Sequence, residues 1–303
     1  MIDRFIEYIR SERRYSELTV RNYRRDVEGF ATWFCRQRGF AGAGFENFDV
    51  TTVSAQDVRD WVIYRMDTAK LGAATMNREL SSIRSFFRFL RQRGIVKGDV
   101  LGRIGSLKAA KVLPVFVPQS RMEEMLENVE EQSYEREFRS QRDSIIISLL
   151  YGCGIRLAEL LRIQVCDINA GAVKIFGKGN KQRIVPLLPE LEDRIMRYMA
   201  ICRERGIEFN SDSPLIVGSK GKPLSRSTVQ RVVTAHMQQA GVQGRKSPHV
   251  LRHTFATDLL REGVDMREIQ ELMGHGSLRS TQHYTHTSIG QLQDVYDKAH
   301  PHK

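Results

Sequence analysis

The chain has few cysteines, and none of them stand in an arrangement typical of a metal finger. Only four occur among 303 residues, namely Cys35, Cys153, Cys166 and Cys202, and no two form a CxxC pair. Isolated thiols of this kind are typical of buried, reduced side chains in a reducing compartment. The cysteine pattern therefore disfavours a disulfide-stapled secreted protein and offers no ligand set for a structural metal.

Long apolar runs and targeting signals are also missing. The N-terminus has no signal-peptide core, and the longest apolar run, residues 145–153, is interrupted by Ser148. A membrane-spanning helix needs about 20 apolar residues. We therefore expect a soluble, cytoplasmic protein with no membrane partner. The sequence also contains no G-x-x-x-x-G-K-[ST] pattern, which excludes a phosphate-binding P-loop.

Positive charge, in contrast, is abundant. The formal net charge is +11 and the sequence pI is about 9.7, while hydrophobic residues make up an ordinary 41% of the chain. Such an excess usually indicates a polyanionic partner, with a membrane surface as the other common explanation. The excess is +6 for residues 1–105 and +5 for the remainder. Because both halves are basic, a long polyanion gripped from two sides fits better than a single basic tail.

The first 105 residues are predicted to form a helical domain. Ser16 is a candidate N-cap for a helix that ends near Arg38, and Ser54 with Asp57 forms a capping box for a second. A third helix is predicted for residues 73–93, where apolar residues recur at three- and four-residue steps. The arginines between these stripes form either a solvated face or a surface for DNA. Those assigned to DNA binding are Arg21, Arg24, Arg25, Arg78, Arg84 and Arg88.

Glycine, lysine and proline interrupt the pattern after this domain. We interpret residues 106–117 as a linker and residues 118–303 as a second, catalytic domain. A new helix is expected to open with a capping box formed by Ser120 and Glu123. The fold class is therefore mainly α.

A small β element interrupts the helices of the second domain. Residues 172–176 and 182–186 flank a Gly-Lys-Gly-Asn-Lys turn and predict a β-hairpin, and residues 165–168 are candidates for a third antiparallel strand. Ser247 is expected to cap a later helix that has Pro248 at its first position. A C-terminal helix is predicted for residues 288–299.

Two residues of the helix after Ser247 suggest a phosphate clamp. His249 and Arg252 are three residues apart near the helix N-terminus, where free amide groups and the helix dipole favour an anion. A surface arginine beside a capping histidine is the alternative. His249 and His253 also stand at i and i+4, but Val250 occupies the position of the glutamate in the metalloprotease pattern. We therefore predict no metal site and a structural, hydrogen-bonded role for His253.

Two further residues have the chemistry that a phosphodiester reaction needs. Lys178 lies between two glycines at the hairpin tip, where it is either a solubilising charge or a general acid. Tyr284 lies in a polar stretch that is a poor core environment and a good one for an exposed nucleophile, although most tyrosines are packing residues. Lys181, on the same hairpin as Lys178, is assigned to DNA binding.

The chain resembles the tyrosine recombinases (the phage-integrase family), and among them the Xer-type bacterial recombinases. The resemblance covers essentially all 303 residues. It rests on G-x-R at 154–156, the hairpin lysine, H-x-L-R-H at 249–253, L-M-G-H at 272–275, and Tyr284. It implies a helical, SAM-like core-binding domain and a catalytic domain that together clamp double-stranded DNA.

The resemblance also implies a catalytic set. Its six members are Arg156, Lys178, His249, Arg252, His275 and Tyr284. In the implied reaction Tyr284 attacks the scissile phosphate to form a 3′-phosphotyrosyl bond, His249 assists removal of the tyrosine proton, and Lys178 protonates the leaving 5′ oxygen.

The remaining members act on the phosphate itself. Arg156 and Arg252, helped by His275, neutralise the non-bridging oxygens in the transition state, and Glu159 orients the site. No cofactor, metal or ATP is implied, because the covalent bond conserves the phosphodiester.

Two strand exchanges through a Holliday junction require a homo- or hetero-tetramer on two DNA duplexes. Relaxation of DNA by a type IB topoisomerase-like reaction is the alternative activity, and a non-catalytic DNA-binding regulator is the alternative from another class.

Overall fold

The chain folds into two mostly helical units. The computed structural model describes residues 1–40, 44–102, 104–108, 115–126, 134–169, 171–177 and 181–274. The chain divides into residues 1–112, here the N-terminal unit, and residues 113–303, here the C-terminal unit. Each has its own hydrophobic core. The expected fold class, mainly α with a small antiparallel three-stranded sheet, is confirmed.

Within its described residues, the N-terminal unit is built from four α-helices and a short 3-10 turn. They are α1 (Ile2–Ser11), α2 (Glu17–Gln37), the turn Val50–Thr52, α3 (Ala55–Asp67) and α4 (Ala73–Gln92). The predicted caps of two helices are confirmed. The Ser16 hydroxyl accepts a hydrogen bond from the Thr19 amide at 3.4 Å, and Ser54 and Asp57 form the expected capping box. Helix α1 was not among the predicted helices, although Ile2, Phe5, Ile6 and Ile9 repeat at helical spacing and are all buried.

Aromatic rings fill the core between these helices. Phe30 of α2 lies fully buried at the centre, with edge-on contacts to Trp61 of α3 and Phe87 of α4. Rings of this size remove large apolar areas from water and pack edge to face. The aromatic stripes predicted for α2, α3 and α4 therefore form one common core.

Two buried carboxylates link the helices of this unit through ion pairs. Asp26 of α2 accepts hydrogen bonds from Arg78 and from the Ser82 hydroxyl, both on α4. Glu79 of α4 accepts two from Arg65 of α3, one of them at 2.9 Å. Removing one partner of such a pair leaves an uncompensated buried charge, which is strongly destabilising.

Both ends of the segment expected to be a linker are fastened to the units beside them. The side chain of Asn77 donates to the Leu107 carbonyl and accepts from the Leu107 amide, at 2.9 and 2.8 Å. On the other side Val117 is buried, and its amide donates to the Thr254 hydroxyl at 2.9 Å. Residues 109–114 lie outside the described ranges.

The C-terminal unit wraps further helices around one buried helix. Its helices are α5 (Gln119–Leu126), α6 (Tyr134–Gly152), α7 (Leu157–Leu160), α8 (Pro189–Glu204), α9 (Arg226–Gln239), α10 (Pro248–Arg261) and α11 (Met266–Leu272). Helix α6 packs against α5, α8, α9 and α10. The apolar run at residues 145–153 forms its buried end. Among the described residues, no helix is long and apolar enough to cross a membrane.

The sheet has the order β1-β2-β3, and all its pairs are antiparallel. Strands β2 (Ala172–Phe176) and β3 (Gln182–Pro186) form the predicted hairpin, in which Phe176 pairs with Gln182. The prediction of a third strand at residues 165–168 was wrong in its bounds. Val165–Asp167 forms a 3-10 turn, and β1 contains only Ile168–Asn169. The Asp167 carboxylate accepts the Gln164 amide and so favours a turn.

Two predicted helix caps differ in the structure. Helix α5 begins at Gln119, and the Pro118 carbonyl accepts its first amide bonds, so Ser120 lies inside the helix and does not cap it. Ser247 does occupy the N-cap position of α10, but its side chain makes no capping bond. In the part of the chain that is described, the buried Ser247 hydroxyl has no hydrogen-bond partner. Pro248 lacks an amide hydrogen, but an N-cap side chain accepts from the amides two or three residues after it. Pro248 therefore does not explain why the Ser247 hydroxyl makes no capping bond.

Candidate active site

The site is organised around one buried carboxylate, that of Glu159. Arg156 is the N-cap residue of α7, and Glu159 lies one turn later with 5% of its surface exposed. The carboxylate accepts the Arg156 amide at 2.9 Å and its guanidinium at 2.7 Å. These two bonds hold Arg156 against the start of α7. The predicted proximity of Arg156 and Glu159 is thus present in the structure, and the roles given to them stay predictions.

A sharp turn at Gly154 brings Arg252 to the same place. Gly154 has a φ of +55°, and a β-carbon there would lie 2.3 Å from Cδ1 of the buried Phe255. Only glycine fits both this backbone conformation and this close approach. The Gly154 carbonyl accepts a hydrogen bond from Nη1 of Arg252, one turn before Phe255 on α10. The glycine of the G-x-R motif therefore connects α10 to the turn that carries Arg156.

Arg252 is buried, with a side chain 6% exposed, and its nearest carboxylate oxygen is Oε2 of Glu159 at 4.0 Å. Its Nη2 donates to the Met273 carbonyl at the end of α11. Burial, and then the positive charge of Arg156, lower the pKa of Arg252 to about 10, while Glu159 acts in the opposite direction. At neutral pH the guanidinium remains protonated, although burial and the nearby Arg156 charge destabilise its charged form. A phosphate oxygen nearby would relieve that cost.

Arg183 belongs to the same cluster and was missed by the sequence analysis. It lies on β3 with a side chain 8% exposed, and its Nη2 donates to Oε2 of Glu159 at 2.7 Å. Its Nε donates to the Leu272 carbonyl at 2.8 Å. The signal for it was the strand alternation, since Arg183 and Val185 share one face of β3 and Val185 is core. An arginine on an inward strand face requires an internal acceptor.

The pKa of Glu159 shows which interactions dominate. Burial alone would raise this pKa, but hydrogen bonding and charge from Arg183, followed by the bonds from Arg156, lower it below its ordinary value. Glu159 is therefore ionised at neutral pH. Three guanidinium groups surround this single carboxylate, which leaves two positive charges of the cluster uncompensated.

His249 lies in the first turn of α10, three residues before Arg252, and is exposed. Burial of part of the ring and the positive charges of Arg245, Arg226, Arg252 and Arg156 lower its pKa below the ordinary 6.5. The imidazole is therefore neutral at physiological pH and able to accept a proton.

His253, one turn further along α10, is exposed too, and its ring makes no hydrogen bond within the described ranges. The structural role assigned to His253 stays a prediction. Its backbone carbonyl accepts the Thr257 hydroxyl, as any helical carbonyl at this position can.

The hairpin opens beside this cluster. The Gly177 amide donates to the Lys181 carbonyl at 2.7 Å and closes the base of the turn. A β-carbon on Gly177 would lie 3.9 Å from Oε1 of Glu159, so this base adjoins the carboxylate. Lys178, His275 and Tyr284 lie outside the described residues, as does the predicted helix 288–299. Their assignments stay predictions.

The structure distinguishes two groups among the residues assigned to DNA binding. Arg24 pairs with Asp3 and Glu28, Arg78 pairs with Asp26, and Arg84 donates to the Ile104 carbonyl. The others are exposed, namely Arg21, Arg25, Arg88 and Lys181. Arg25 lies 3.6 Å from Asp26 across one pair of atoms. None of these placements tests DNA binding itself.

In the part of the chain that is described, no group of three or more histidine, cysteine, aspartate or glutamate side chains is placed to hold an ion. What the site offers instead is concentrated positive charge beside a neutral imidazole. Such a site can bind a phosphodiester and stabilise additional negative charge on it.

The sequence matches known families along most of its length. Residues 116–290 match the phage integrase family, and residues 2–94 match the phage integrase N-terminal SAM-like domain. Tyrosine recombinase XerC of Oceanobacillus iheyensis is 36% identical over 306 residues, covering 99% of this chain and 95% of that protein. Tyrosine recombinase XerC of Listeria innocua is 36% identical over 301 residues, covering 98% and 96%.

Solved structures share the fold at lower identity. The XerH site-specific recombinase bound to a palindromic difH substrate, in a post-cleavage complex, is 20% identical with a TM-score of 0.68, covering 97% of this chain and 84% of its own. A lambda integrase tetramer bound to a Holliday junction is 18% identical with a TM-score of 0.65, covering 97% and 76%. The chain belongs to the phage integrase family, and it is an enzyme of the tyrosine recombinase type, with relatives of the Xer group.

Proposed function

We propose that this protein cuts and rejoins DNA at specific sites through a covalent 3′-phosphotyrosyl intermediate. The observation that carries the proposal is the cluster in which Arg156 and Arg252 converge on Glu159 beside a neutral His249. Family membership supplies the reaction class, and the cluster supplies the chemistry that the reaction needs. The reaction has two transition states of the same kind, one for cleavage and one for rejoining.

The charge of the cluster fits the charge of that transition state. A phosphodiester carries one negative charge, and attack by a tyrosine that has lost its proton adds a second. The cluster has two uncompensated positive charges, since Glu159 neutralises one of three arginines. Removing a single donor to such a transition state typically slows a reaction by on the order of 10²–10³. Arg156 and Arg252 are the two donors in this proposal.

Proton transfers are assigned to the remaining residues. Tyr284 attacks phosphorus while its proton passes to His249, whose lowered pKa keeps it in the accepting form. The bond from phosphorus to the 5′ oxygen breaks, and Lys178 donates a proton to that oxygen. His275 assists the arginines. Rejoining is the reverse, with a 5′ hydroxyl as the attacking group, so the phosphodiester is conserved without metal or ATP.

The partner is double-stranded DNA, and the assembly is a homo- or hetero-tetramer on two duplexes with a Holliday junction between the two exchanges. The solved relatives bound to a difH substrate and to a Holliday junction support this part of the proposal. The positive excess on both halves of the chain agrees with a DNA partner, because neutralising backbone phosphates releases counterions.

The test uses covalent capture. A library of duplexes with a randomised core is incubated with the protein in EDTA, denatured, and resolved for protein joined to DNA. The wild-type protein should yield adducts whose sequences converge on one site, whereas Tyr284→Phe should bind the same duplex and form none. Adducts that persist in Tyr284→Phe, or a strict metal requirement for cleavage, would overturn the mechanism. Relaxation of supercoiled plasmid with no strand exchange would favour the topoisomerase-like alternative.

A further inference from the structure

Arg183 lies between three parts of the site, namely strand β3, helix α7 and the end of α11. It extends from β3, its Nη2 meets the α7 carboxylate of Glu159 at 2.7 Å, and its Nε meets the Leu272 carbonyl of α11 at 2.8 Å. Its side chain is 8% exposed. Two of its three guanidinium nitrogens thus donate to protein acceptors, on α7 and at the end of α11.

Arg183 affects how strongly Glu159 interacts with the neighbouring Arg252. Oε2 of Glu159 accepts from Arg183 and also lies 4.0 Å from Nη1 of Arg252. Without Arg183, the same oxygen would turn to Arg252, because a buried carboxylate seeks the nearest available cation. Arg156 is already bonded to the other oxygen. The single carboxylate charge would then be shared between the two arginines that the proposed reaction needs, and the net charge of the cluster would fall from +2 to +1.

The second contact places the end of α11. Arg183 holds the Leu272 carbonyl and Arg252 holds the Met273 carbonyl, so two arginines fasten consecutive carbonyls at this helix terminus. Gly274 follows with a φ of +67°, and a β-carbon there would lie 3.0 Å from Nη1 of Arg183. The described chain ends at this residue. The segment that contains His275 and Tyr284 therefore starts from a point that Arg183 helps to fix.

We propose that Arg183 is a positioning residue: it serves as the counter-ion of Glu159 at Oε2, so that this carboxylate does not cancel one of the two positive charges that Arg156 and Arg252 offer to the scissile phosphate, and it fixes the end of α11. This inference rests on the proposed function and adds to it a residue that never touches the substrate. Its effect on the reaction passes through Glu159 and through the α11 terminus.

A variant that lacks both Arg183 and the Glu159 charge is expected to cleave DNA faster than a variant that lacks Arg183 alone. Arg183→Met removes the counter-ion and should slow single-turnover cleavage by on the order of 10–100-fold, somewhat less than removal of a direct donor. Glu159→Gln added to Arg183→Met also removes the competing negative charge, while the amide oxygen still accepts from the Arg156 backbone. The double variant should therefore cleave faster than Arg183→Met. A residue that only stabilised the fold would give the opposite order, because the double variant loses more contacts.

The measurement is the single-turnover rate of covalent adduct formation on the duplex recovered by covalent capture, with DNA affinity measured in parallel. Affinity should be unchanged in all variants. Arg142→Met is the matched control, since Arg142 is a buried arginine of the same unit that pairs with Asp143 on α6, away from the site. It should lower the melting temperature and leave the cleavage rate unchanged. All rates are taken at a temperature where circular dichroism shows each variant folded.

Two results would overturn the proposal: cleavage by Arg183→Met at the wild-type rate, or a double variant no faster than Arg183→Met. If Arg183→Met does not fold, the test moves to Arg183→Gln, which removes the charge but keeps a hydrogen-bond donor. Cleavage reduced by about tenfold at full affinity would then support the proposal, and a wild-type rate would refute it. A wild-type protein that forms no adduct would instead refute the proposed function.

Discussion

Replacement of Gly154 by alanine should damage the C-terminal unit through two separable effects. The first is backbone strain, because a φ of +55° costs an L-residue about 1–2 kcal/mol. The second is a collision, because the new methyl group would lie 2.3 Å from Cδ1 and 2.6 Å from Cε1 of Phe255. Phe255 is 1% exposed and its ring has no free space to enter. Overpacking of this kind typically costs about 1–3 kcal/mol more.

A matched glycine isolates the second effect. Gly263 ends α10 with a φ of +85°, and a β-carbon there meets nothing within 4 Å. Gly263→Ala therefore carries the strain alone, about 1–2 kcal/mol. Gly154→Ala should be destabilised by about 2–5 kcal/mol in total, a large share of the 5–15 kcal/mol typical of a domain.

Urea unfolding provides the assay, because both tryptophans of the chain lie in the N-terminal unit. Their fluorescence should show a transition that neither variant shifts, while the far-ultraviolet circular dichroism of Gly154→Ala should show an earlier one. Phe255→Leu added to Gly154→Ala should recover part of the loss. If Gly154→Ala is no less stable than Gly263→Ala, the close approach of Phe255 does not constrain this turn and the reasoning is wrong.

Three further predictions concern the reaction, the assembly and the pH dependence of stability. Lys178→Ala should be severely impaired on ordinary DNA, and a substrate with sulfur in place of the bridging 5′ oxygen should restore its cleavage, since that leaving group scarcely needs a proton; equal rescue of Arg156→Ala would show that Lys178 is only an electrostatic contact. Removal of residues 288–303, whose sequence predicts a short helix that is not stable alone, should leave DNA binding by one protomer intact and abolish strand exchange; normal recombination by the truncated protein would refute this. Because the folded-state pKa of Glu159 lies below its ordinary 4.5, the stability advantage of wild type over Glu159→Gln should be complete above that pH and disappear as the pH falls through the folded value; an advantage that grew on acidification would contradict the ion-paired carboxylate.

Periodicity and capping chemistry predicted most of the fold. The Ser16 cap, the Ser54–Asp57 box and the hairpin at residues 172–186 are local features, and local propensity is enough to specify them. The error at Ser120 has a physical reason as well. The Pro118 carbonyl already accepts the amides of Arg121 and Met122. Helix α5 therefore begins at Gln119, two residues before the start that a Ser120 cap would give.

The composition of the site was only partly predictable. Arg156, Glu159, His249 and Arg252 are adjacent in short motifs, and the structure brings them together. Arg183 lies in the predicted hairpin, but the hairpin pattern assigns it no role in the site. Its contacts are with a carboxylate 24 residues away and a carbonyl 89 residues away. Contacts over such separations follow from tertiary packing, so periodicity alone does not reveal them. The internal partners of Arg24, Arg78 and Arg84 were unpredictable for the same reason.

The distinction between paired and exposed arginines in the N-terminal unit sets limits on retargeting this recombinase to a new DNA sequence. Exchange of Arg78 removes the paired cation of Asp26, whose side chain is 1% exposed, and leaves Asp26 with the Ser82 hydroxyl and the more distant Arg25. Arg21 and Arg88 are exposed, and among the described residues neither forms an ion pair with a buried carboxylate. A mutant library randomised at Arg21 and Arg88 should therefore yield mostly folded proteins, whereas one that includes Arg78 should recover clones in which Asp26 has changed as well. With the DNA-binding role predicted for Arg21 and Arg88, changes in specificity and changes in stability would therefore fall at different positions on α2 and α4.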